Sequence, residues 1–301
     1  VAFPLRASIS AFRRPLAAAL LALAGGCAQA SPSGSAVVVD DAGDSVAVRA
    51  PAHRVVSLIP ATTELLFAVG AGGNLVGRSA WCDYPADAAR VPNLGDGINP
   101  NVEAVLAARP DLVLLYNSAQ HTAVAARLRG LGIPALRLNT DVLTDVARVG
   151  RLLGRLTGHQ RSADSLAEAF DTALAAASVP ATSRPRPTVL LLVWEQPPMT
   201  IGRGSFLSEL VERAGGENLF ADVTASAGPV SIEAVAARAP DFIFTTTDGP
   251  AAFARRPEWQ VVRAVRERRF IHVTGSEFNR PSPRAPAAIR ELAAQLREAR
   301  E

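Results

Sequence analysis

An α/β protein made of two similar lobes joined by a helix is what the amino-acid sequence predicts, and three observations carry that prediction. Short Val/Leu/Ile runs alternate with segments of helical periodicity, the pattern of a mostly parallel sheet covered by helices. The alternation restarts after a Pro/Ser/Arg-rich connector at 180–187. The restart also repeats a motif. Asn101-Val102-Glu103-Ala104-Val105 is followed by Pro110-Asp111-Leu112-Val113, and Ser231-Ile232-Glu233-Ala234-Val235 by Pro240-Asp241-Phe242-Ile243. The step from Glu to Pro-Asp is the same in both copies, as when one supersecondary unit is used twice.

The elements follow in order. Ala36 to Val39 and Ser45 to Arg49 read as short strands around a turn at Asp40 to Asp44. Arg54 to Ile59 is a buried strand ended by Pro60-Ala61. Thr62-Thr63-Glu64 opens a helix that turns Leu65, Leu66 and Val69 inward and stops at Gly70 to Gly73. A long loop covers Ser79 to Pro100, and a helix is predicted over Val102 to Ala108. Strands at Leu112 to Tyr116 and Ala135 to Leu138 flank a helix over Ala123 to Leu131. Val142 to Leu156 carries Val146, Val149 and Leu153 on one face, and Ser162 to Ala177 carries Leu166, Phe170 and Leu174 at four-residue spacing. The second copy opens with a strand at Thr188 to Val193 and a loop at Trp194 to Pro198. Helices at Phe206 to Ala214 and Ile232 to Ala237, strands at Phe242 to Thr245 and Phe270 to Val273, and a final amphipathic helix from Ala285 to Arg297 complete it. The predicted divisions are an export signal at 1–27, a tether and first strands at 28–50, one lobe at 51–157, the bridging helix at 158–180 and the other lobe at 181–301.

Composition narrows the function. Apolar residues make up 49% and charged residues 20%, an ordinary globular balance, and the net charge is only +3. All basic side chains are arginines interleaved with acids, and no basic block with aromatics points to nucleic acid. Arg6, Arg13 and Arg14, then the apolar run Leu16 to Ala24, then Gly25-Gly26-Cys27, read as an export signal too short to span a membrane. Its end resembles a bacterial lipobox, which would lipidate Cys27; a plainly cleaved signal peptide is the alternative. Cys82 then has no partner, and His53, His121, His159 and His272 are scattered without metal-ligand spacing, reading as surface or capping residues. No Gly-x-Ser-x-Gly, Walker, Gly-x-Gly-x-x-Gly or His-Glu-x-x-His motif is present, which favours binding over catalysis.

A cleft between the lobes is the expected ligand site. Trp81 in the long loop, Tyr116 and Trp194 at strand ends, and Phe278 after the last strand fall where strand termini line a crevice, and large rings there suit a large flat ligand. Tyr84 and Trp259 read as packing residues instead. Glu195, Asp248 and Arg280 are polar residues near the same edge; Arg280 either binds a ligand amide or carboxylate or pairs with Glu277. Glu103 and Glu233 sit in first helical turns behind the caps Asn101 and Ser231. They either complement helix dipoles or present two equivalent carboxylates to a pseudo-symmetric partner.

Several stretches carry a family resemblance. They are Arg54-Val55-Val56-Ser57-Leu58-Ile59-Pro60-Ala61-Thr62-Thr63-Glu64, Cys82-Asp83-Tyr84-Pro85, Asn99-Pro100-Asn101-Val102-Glu103, Arg109-Pro110-Asp111-Leu112-Val113, Gly215-Gly216-Glu217-Asn218-Leu219-Phe220 and Ser282-Pro283-Arg284. Through them the chain, from about Arg54 to Arg284, resembles the periplasmic cobalamin-binding proteins and their siderophore- and haem-binding relatives. The resemblance implies two Rossmann-like lobes bridged by one long α-helix and a cargo, not a catalytic cofactor, in the cleft. The cargo it implies is cobalamin first, haem or a ferric siderophore otherwise. It implies a monomer that docks onto an ABC importer's permease, driven by its ATPase, with Cys27 tying it to the membrane. Glu103 and Glu233 fall on the family's docking glutamates, Trp81 on a corrin-facing position, and Tyr116, Trp194, Phe278 and Arg280 at or beside other cleft positions. Two departures stand out: Gly97-Ile98 where a cobalamin binder has Trp, and Ser276 where it has a cleft acid. An exported enzyme or a sensor on the same scaffold is the remaining alternative.

Overall fold

Two sheets whose strands are apolar on both faces organise the chain. The computed structural model describes residues 34–180, 186–225, 227–245 and 252–298, all within the unit Ser33–Glu301. Cys27 with the predicted export signal, and Asp248, lie outside the described residues.

β1 (Gly34–Val39) and β2 (Ser45–Ala50) form an antiparallel hairpin. The hairpin turn is held by buried Asp40, whose carboxylate accepts from Arg129 at 2.6 Å and from the Arg137 backbone at 3.1 Å. The N-terminal lobe continues through β3 (Val55–Ser57), α1 (Pro60–Ala68), β4 (Leu75–Arg78), α2 (Val102–Ala107), β5 (Leu112–Tyr116), α3 (Ala119–Gly130) and β6 (Ala135–Leu138). Its sheet is wholly parallel, in the order β4-β3-β5-β6. β4 is an edge strand between the Gly70 to Gly73 stop and the loop that begins at Ser79, where the sequence predicts no element; its Gly77 lies against Leu94 and Val56 and breaks the apolar run.

α4 (Thr144–Thr157) and α5 (Gln160–Ala177) follow as an antiparallel pair. Gly158 closes α4 in the left-handed region (φ 77°). Gly154 lets the pair close up, since a Cβ there would stand 2.2 Å from that of Ala163. α5 is the long helix between the lobes, and it packs on both α4 and the last helix.

The C-terminal lobe contains β7 (Thr188–Glu195), β8 (Pro198–Ile201), α6 (Phe206–Arg213), β9 (Glu217–Asn218), β10 (Ala227–Pro229), α7 (Ile232–Arg238), β11 (Phe242–Thr245), α8 (Arg263–Arg266), β12 (Phe270–His272) and α9 (Ala285–Glu298). β11 pairs in parallel with β7 and β12, while β8 and β10 extend the sheet antiparallel beyond β7. The expected loop at Trp194 to Pro198 is therefore a tight hairpin.

Alternate residues of each strand face different cores. Val55, Leu112, Leu114, Val189, Leu191, Phe242 and Phe244 belong to one core that also takes Leu153, Phe170, Leu174, Ile289 and Leu292. Val56, Val113 and Leu115 cover the outside of the first sheet, and Leu190, Leu192 and Ile243 the outside of the second, with Trp259. Burial on both faces explains why the strands read as unbroken apolar runs. Because the central core runs from one sheet through α4, α5 and α9 to the other, separating the lobes exposes apolar surface at about 25 cal/mol per Å².

Candidate functional site

In a parallel sheet the carboxyl ends of the strands leave unpaired backbone and open loops, so a crevice forms there. A cavity of about 690 Å³ lies between the lobes at this edge, within the range of small-molecule sites. The N-terminal lobe lines it with Ile59 and Pro60 after β3, Trp81 and Asp83 from the long loop, Tyr116 at the end of β5, and Asp141 after β6. The C-terminal lobe contributes Ile201, Ser205, Phe206, Ser276, Asn279 and Arg280.

Trp81 is 63% exposed, unusual for the largest side chain. Its indole Nε1 donates to Asp96 at 3.3 Å, and the same carboxylate accepts from the Ile98 backbone at 2.9 Å and from Asn99 at 3.3 Å. Those bonds, the Ile98 N–H first, hold the Asp96 carboxyl below its usual range. Beneath the loop, Cys82 is buried, and its Sγ accepts from Thr63 at 3.1 Å. Tyr116 donates its hydroxyl to Asp141 at 2.5 Å. Burial, then the Asp141 bond and charge, push the Tyr116 phenol well above its ordinary 10.0.

Arg280 does not pair with Glu277. Its Nε donates to Glu64 at 2.6 Å and its Nη2 to Asp83. Glu277 is taken by Arg284, which also reaches Glu64 at 2.8 and 3.0 Å. Glu64 is only 3% exposed. Burial works against the Arg284 charge, but the hydrogen bond and charge of Glu64, with Glu277, hold its pKa above the ordinary value. Tyr84, read as a packing residue, is half exposed and lies under Arg284, 3.9 Å from ring centroid to guanidinium carbon.

Other predicted residues sit elsewhere. Phe278 lies in the core at 2% exposure, its ring 6.3 Å from that of Phe244, because the short helical turn after the last strand points it inward. It does not face the cavity. Trp194 is exposed on the β7–β8 hairpin and donates to the Gln196 carbonyl at 2.8 Å; neither it nor Glu195 lines the cavity. Ile98 is exposed outside the cavity, and Gly97 is buried. A Cβ on Gly97 would meet the Leu58 carbonyl at 2.5 Å, so this backbone accepts no larger residue there.

His121, read as a surface or capping residue, is buried, and its ring nitrogens reach the Tyr116 and Gly97 carbonyls at 2.8 and 2.9 Å. It braces the cavity loop against β5. Nothing in its sequence neighbourhood signals this. Glu64, by contrast, stands in a motif quoted above, where it reads only as part of the segment that opens a helix. Among the described residues no group of three His, Cys, Asp or Glu is arranged to hold a metal. No described helix is long and apolar enough to cross a membrane.

Glu103 and Glu233 occupy matched places. Asn101 caps α2 by accepting from Ala104 N at 3.0 Å, and Ser231 caps α7 by accepting from Ala234 N at 3.1 Å. Each helix leads into a parallel strand, so each starts at the carboxyl edge of its sheet, the edge that holds the cavity. The carboxyl of Glu103 is held below its usual range by its own backbone N–H and then by Arg127 at 2.9 Å.

Comparison with known proteins supplies the frame. A family model described as periplasmic binding protein matches residues 55–276. A vitamin B12-binding protein of Yersinia pestis is 33% identical over 81% of this chain and 86% of its own. An ABC transporter substrate-binding lipoprotein of Bacillus subtilis is 30% identical over 86% and 85%. Among solved structures, a periplasmic vitamin B12-binding protein of Vibrio cholerae superposes with a TM-score of 0.67 at 26% identity, covering 83% of this chain and 99% of its own. A periplasmic haem-binding protein of Roseiflexus sp. RS-1 in apo form gives 0.72 at 25% identity, with the same coverage.

Proposed function

The chain belongs to the periplasmic binding protein family, and from that premise we propose that it carries a corrinoid, cobalamin in first place, to an ABC importer. Members of this class bind and deliver a solute, so the ligand is a cargo and not a catalytic cofactor. The observation that carries the corrinoid reading is the cleft itself. It is large, mostly apolar, lined from both lobes, and walled by an exposed tryptophan. Flat macrocycles bind by apolar and aromatic area, with a few polar groups at their edge. Trp81 provides the ring, Tyr116 a second, and Arg280 with Asp141 the polar edge. Trp194, Glu195 and Ile98 sit outside the cavity wall and take part only if the ligand projects past it. Gly97 contributes by letting the loop approach Leu58.

Haem is the second reading, favoured by the likeness to the haem-binding protein. The surroundings of Tyr116 weigh against it. Iron ligation by a tyrosine needs the phenolate, and burial, with the Asp141 carboxylate beside it, makes this proton costlier to release than that of an ordinary tyrosine. His121, the histidine nearest the cleft loop, is engaged with two backbone carbonyls.

Delivery proceeds by docking. Glu103 and Glu233, one on each lobe, pair with arginines of the permease and orient the cleft over the pore; such pairs set register and on-rate more than affinity. Cys27 carries a lipid that keeps the monomeric protein near its importer and raises its effective concentration there. Titration of the purified protein with cyanocobalamin, read by tryptophan fluorescence and calorimetry, tests the reading. Saturable one-to-one binding at micromolar or tighter, weakened about tenfold or more by Trp81→Ala, is expected. Binding of haemin in place of cobalamin moves the second reading to the front.

A further inference from the structure

One ionic cluster joins the lobes beside the cleft, and its two arms differ in burial. The inner arm is Glu64 of α1, whose carboxylate accepts three hydrogen bonds from Arg280 and Arg284 of the other lobe. A buried carboxylate has given up its hydration, so an arginine that left it would strand a charge. The outer arm is Asp83, bonded to the remaining edge of Arg280, with a side chain 57% exposed. Asp83 sits two residues after Trp81, and both residues line the cavity with Arg280. The neighbouring Tyr84 is covered by Arg284. The loop that carries the exposed tryptophan is therefore held to the opposite lobe by one ion pair, solvated on its Asp83 side, and one ring contact.

Water competes for the exposed Asp83 carboxylate, whereas the Arg280 side chain is only 12% exposed, so the pair opens at little cost when another acceptor takes the place of Asp83. Exchanging its carboxylate for another acceptor leaves the guanidinium satisfied, since Glu64 keeps Nε. We propose that Asp83 is a ligand-displaced gate. In the empty cleft its carboxylate occupies the outer edge of Arg280. An amide or carboxylate oxygen on the rim of the ligand replaces it, while Glu64, a positioning residue, keeps Arg280 aimed. Displacement releases the loop and lets Trp81 settle on the face of the ligand. This rests on the reading of the cleft as the cargo site.

The test is a titration of wild type, Asp83→Asn, Arg280→Lys and the double variant with cyanocobalamin, and with haemin as a second probe. Asp83→Asn removes the competing charge, so binding tightens about three- to tenfold. The gain disappears in the Arg280→Lys background, because lysine lacks the fork that Glu64 and the ligand share. Unchanged or weaker binding by Asp83→Asn overturns the gate, since a strut that shapes the cleft would weaken binding when cut. A ligand-free arm separates the gate from the cargo reading. In a Trp194→Phe background, where Trp259 is buried, acrylamide quenching of Trp81 rises on Asp83→Asn as the loop is released. Failure of wild type to bind either probe counts against the proposed cargo, and the quenching result then decides the gate alone; no rise overturns it.

Discussion

Glu103 in the first lobe shares its carboxylate with Arg127, whereas its counterpart Glu233 makes no ion pair among the described residues. Around these two positions the lobes agree closely. Asn101 and Ser231 cap their helices with the same bond. Each helix is followed by a residue in the left-handed region, Arg109 at φ 48° and Ala239 at φ 47°, just before a proline. Asp111 then accepts from the backbone of His53 and Arg54, and Asp241 from the backbone and hydroxyl of Thr188. The repeated Pro-Asp thus ties the start of one strand to the start of its neighbour, once per lobe. The sheets diverge beyond that unit: the first stays parallel, and the second adds the antiparallel β8 and β10. What the lobes share is the helix–strand joint that sets the glutamates; what they do not share is the cleft wall.

The strongest way to break the comparison is to remove both glutamates. A Glu103→Ala, Glu233→Ala protein is expected to bind cargo like wild type and to lose importer-dependent uptake in cells. Uptake that survives would remove the docking role and leave the pair as dipole-complementing acids. The single variants sharpen the asymmetry. Arg127 competes for Glu103, so Glu233→Ala is expected to reduce uptake more than Glu103→Ala, and Arg127→Ala to raise permease on-rate modestly at low salt.

The Pro-Asp joints come next in size. Asp111→Ala and Asp241→Ala each leave two donors without their carboxylate, at a cost of about 1–2 kcal/mol in chemical denaturation. Hydrogen exchange should rise at β3 in the first variant and at β7 in the second. A loss confined to one lobe's variant would mean that the repeat is one of spelling and not of mechanism. Removing the caps is milder. Asn101→Ala and Ser231→Ala should each cost about 1 kcal/mol, since one helix-start N–H loses its acceptor.

Much of this was legible in the residues. Two-face burial makes strands such as Leu112–Tyr116 apolar throughout, and the Glu-to-Pro-Asp step recurs because the joint recurs. Leu75–Arg78 was not legible, because a four-residue edge strand containing glycine shows no period. The cleft was legible as a place but only partly as a set of side chains. Trp81, Tyr116 and Arg280 line it, but a ring after a strand can turn either way, and Phe278 turns inward onto Phe244. Arg280 and Glu64 lie 216 residues apart in the chain, so no local pattern pairs them. The same holds for His121 and Gly97 across 24 residues, where the partner is a carbonyl and leaves no trace in side-chain identity.

The smallest expected effect concerns Tyr116, which has no partner of its kind in the other lobe's cleft wall. The chain has two tyrosines, so in a Tyr84→Phe background ultraviolet absorbance follows the ionisation of Tyr116 alone. Tyr116 should ionise above its ordinary 10.0, because burial and the Asp141 carboxylate both oppose the phenolate. Asp141→Asn removes the charge but leaves the burial, so it should lower this pKa without restoring the ordinary value. The linkage to stability has a definite sign. Above about pH 10 the unfolded chain gives up this proton and the folded protein keeps it, so the contribution of Tyr116 is intact below that pH and falls as pH rises toward the folded pKa. Alkaline denaturation should therefore be less steep in Asp141→Asn than in wild type. An unchanged titration would mean that the Asp141 bond and charge do not act on this phenol in solution, and burial alone would then carry the case against iron ligation.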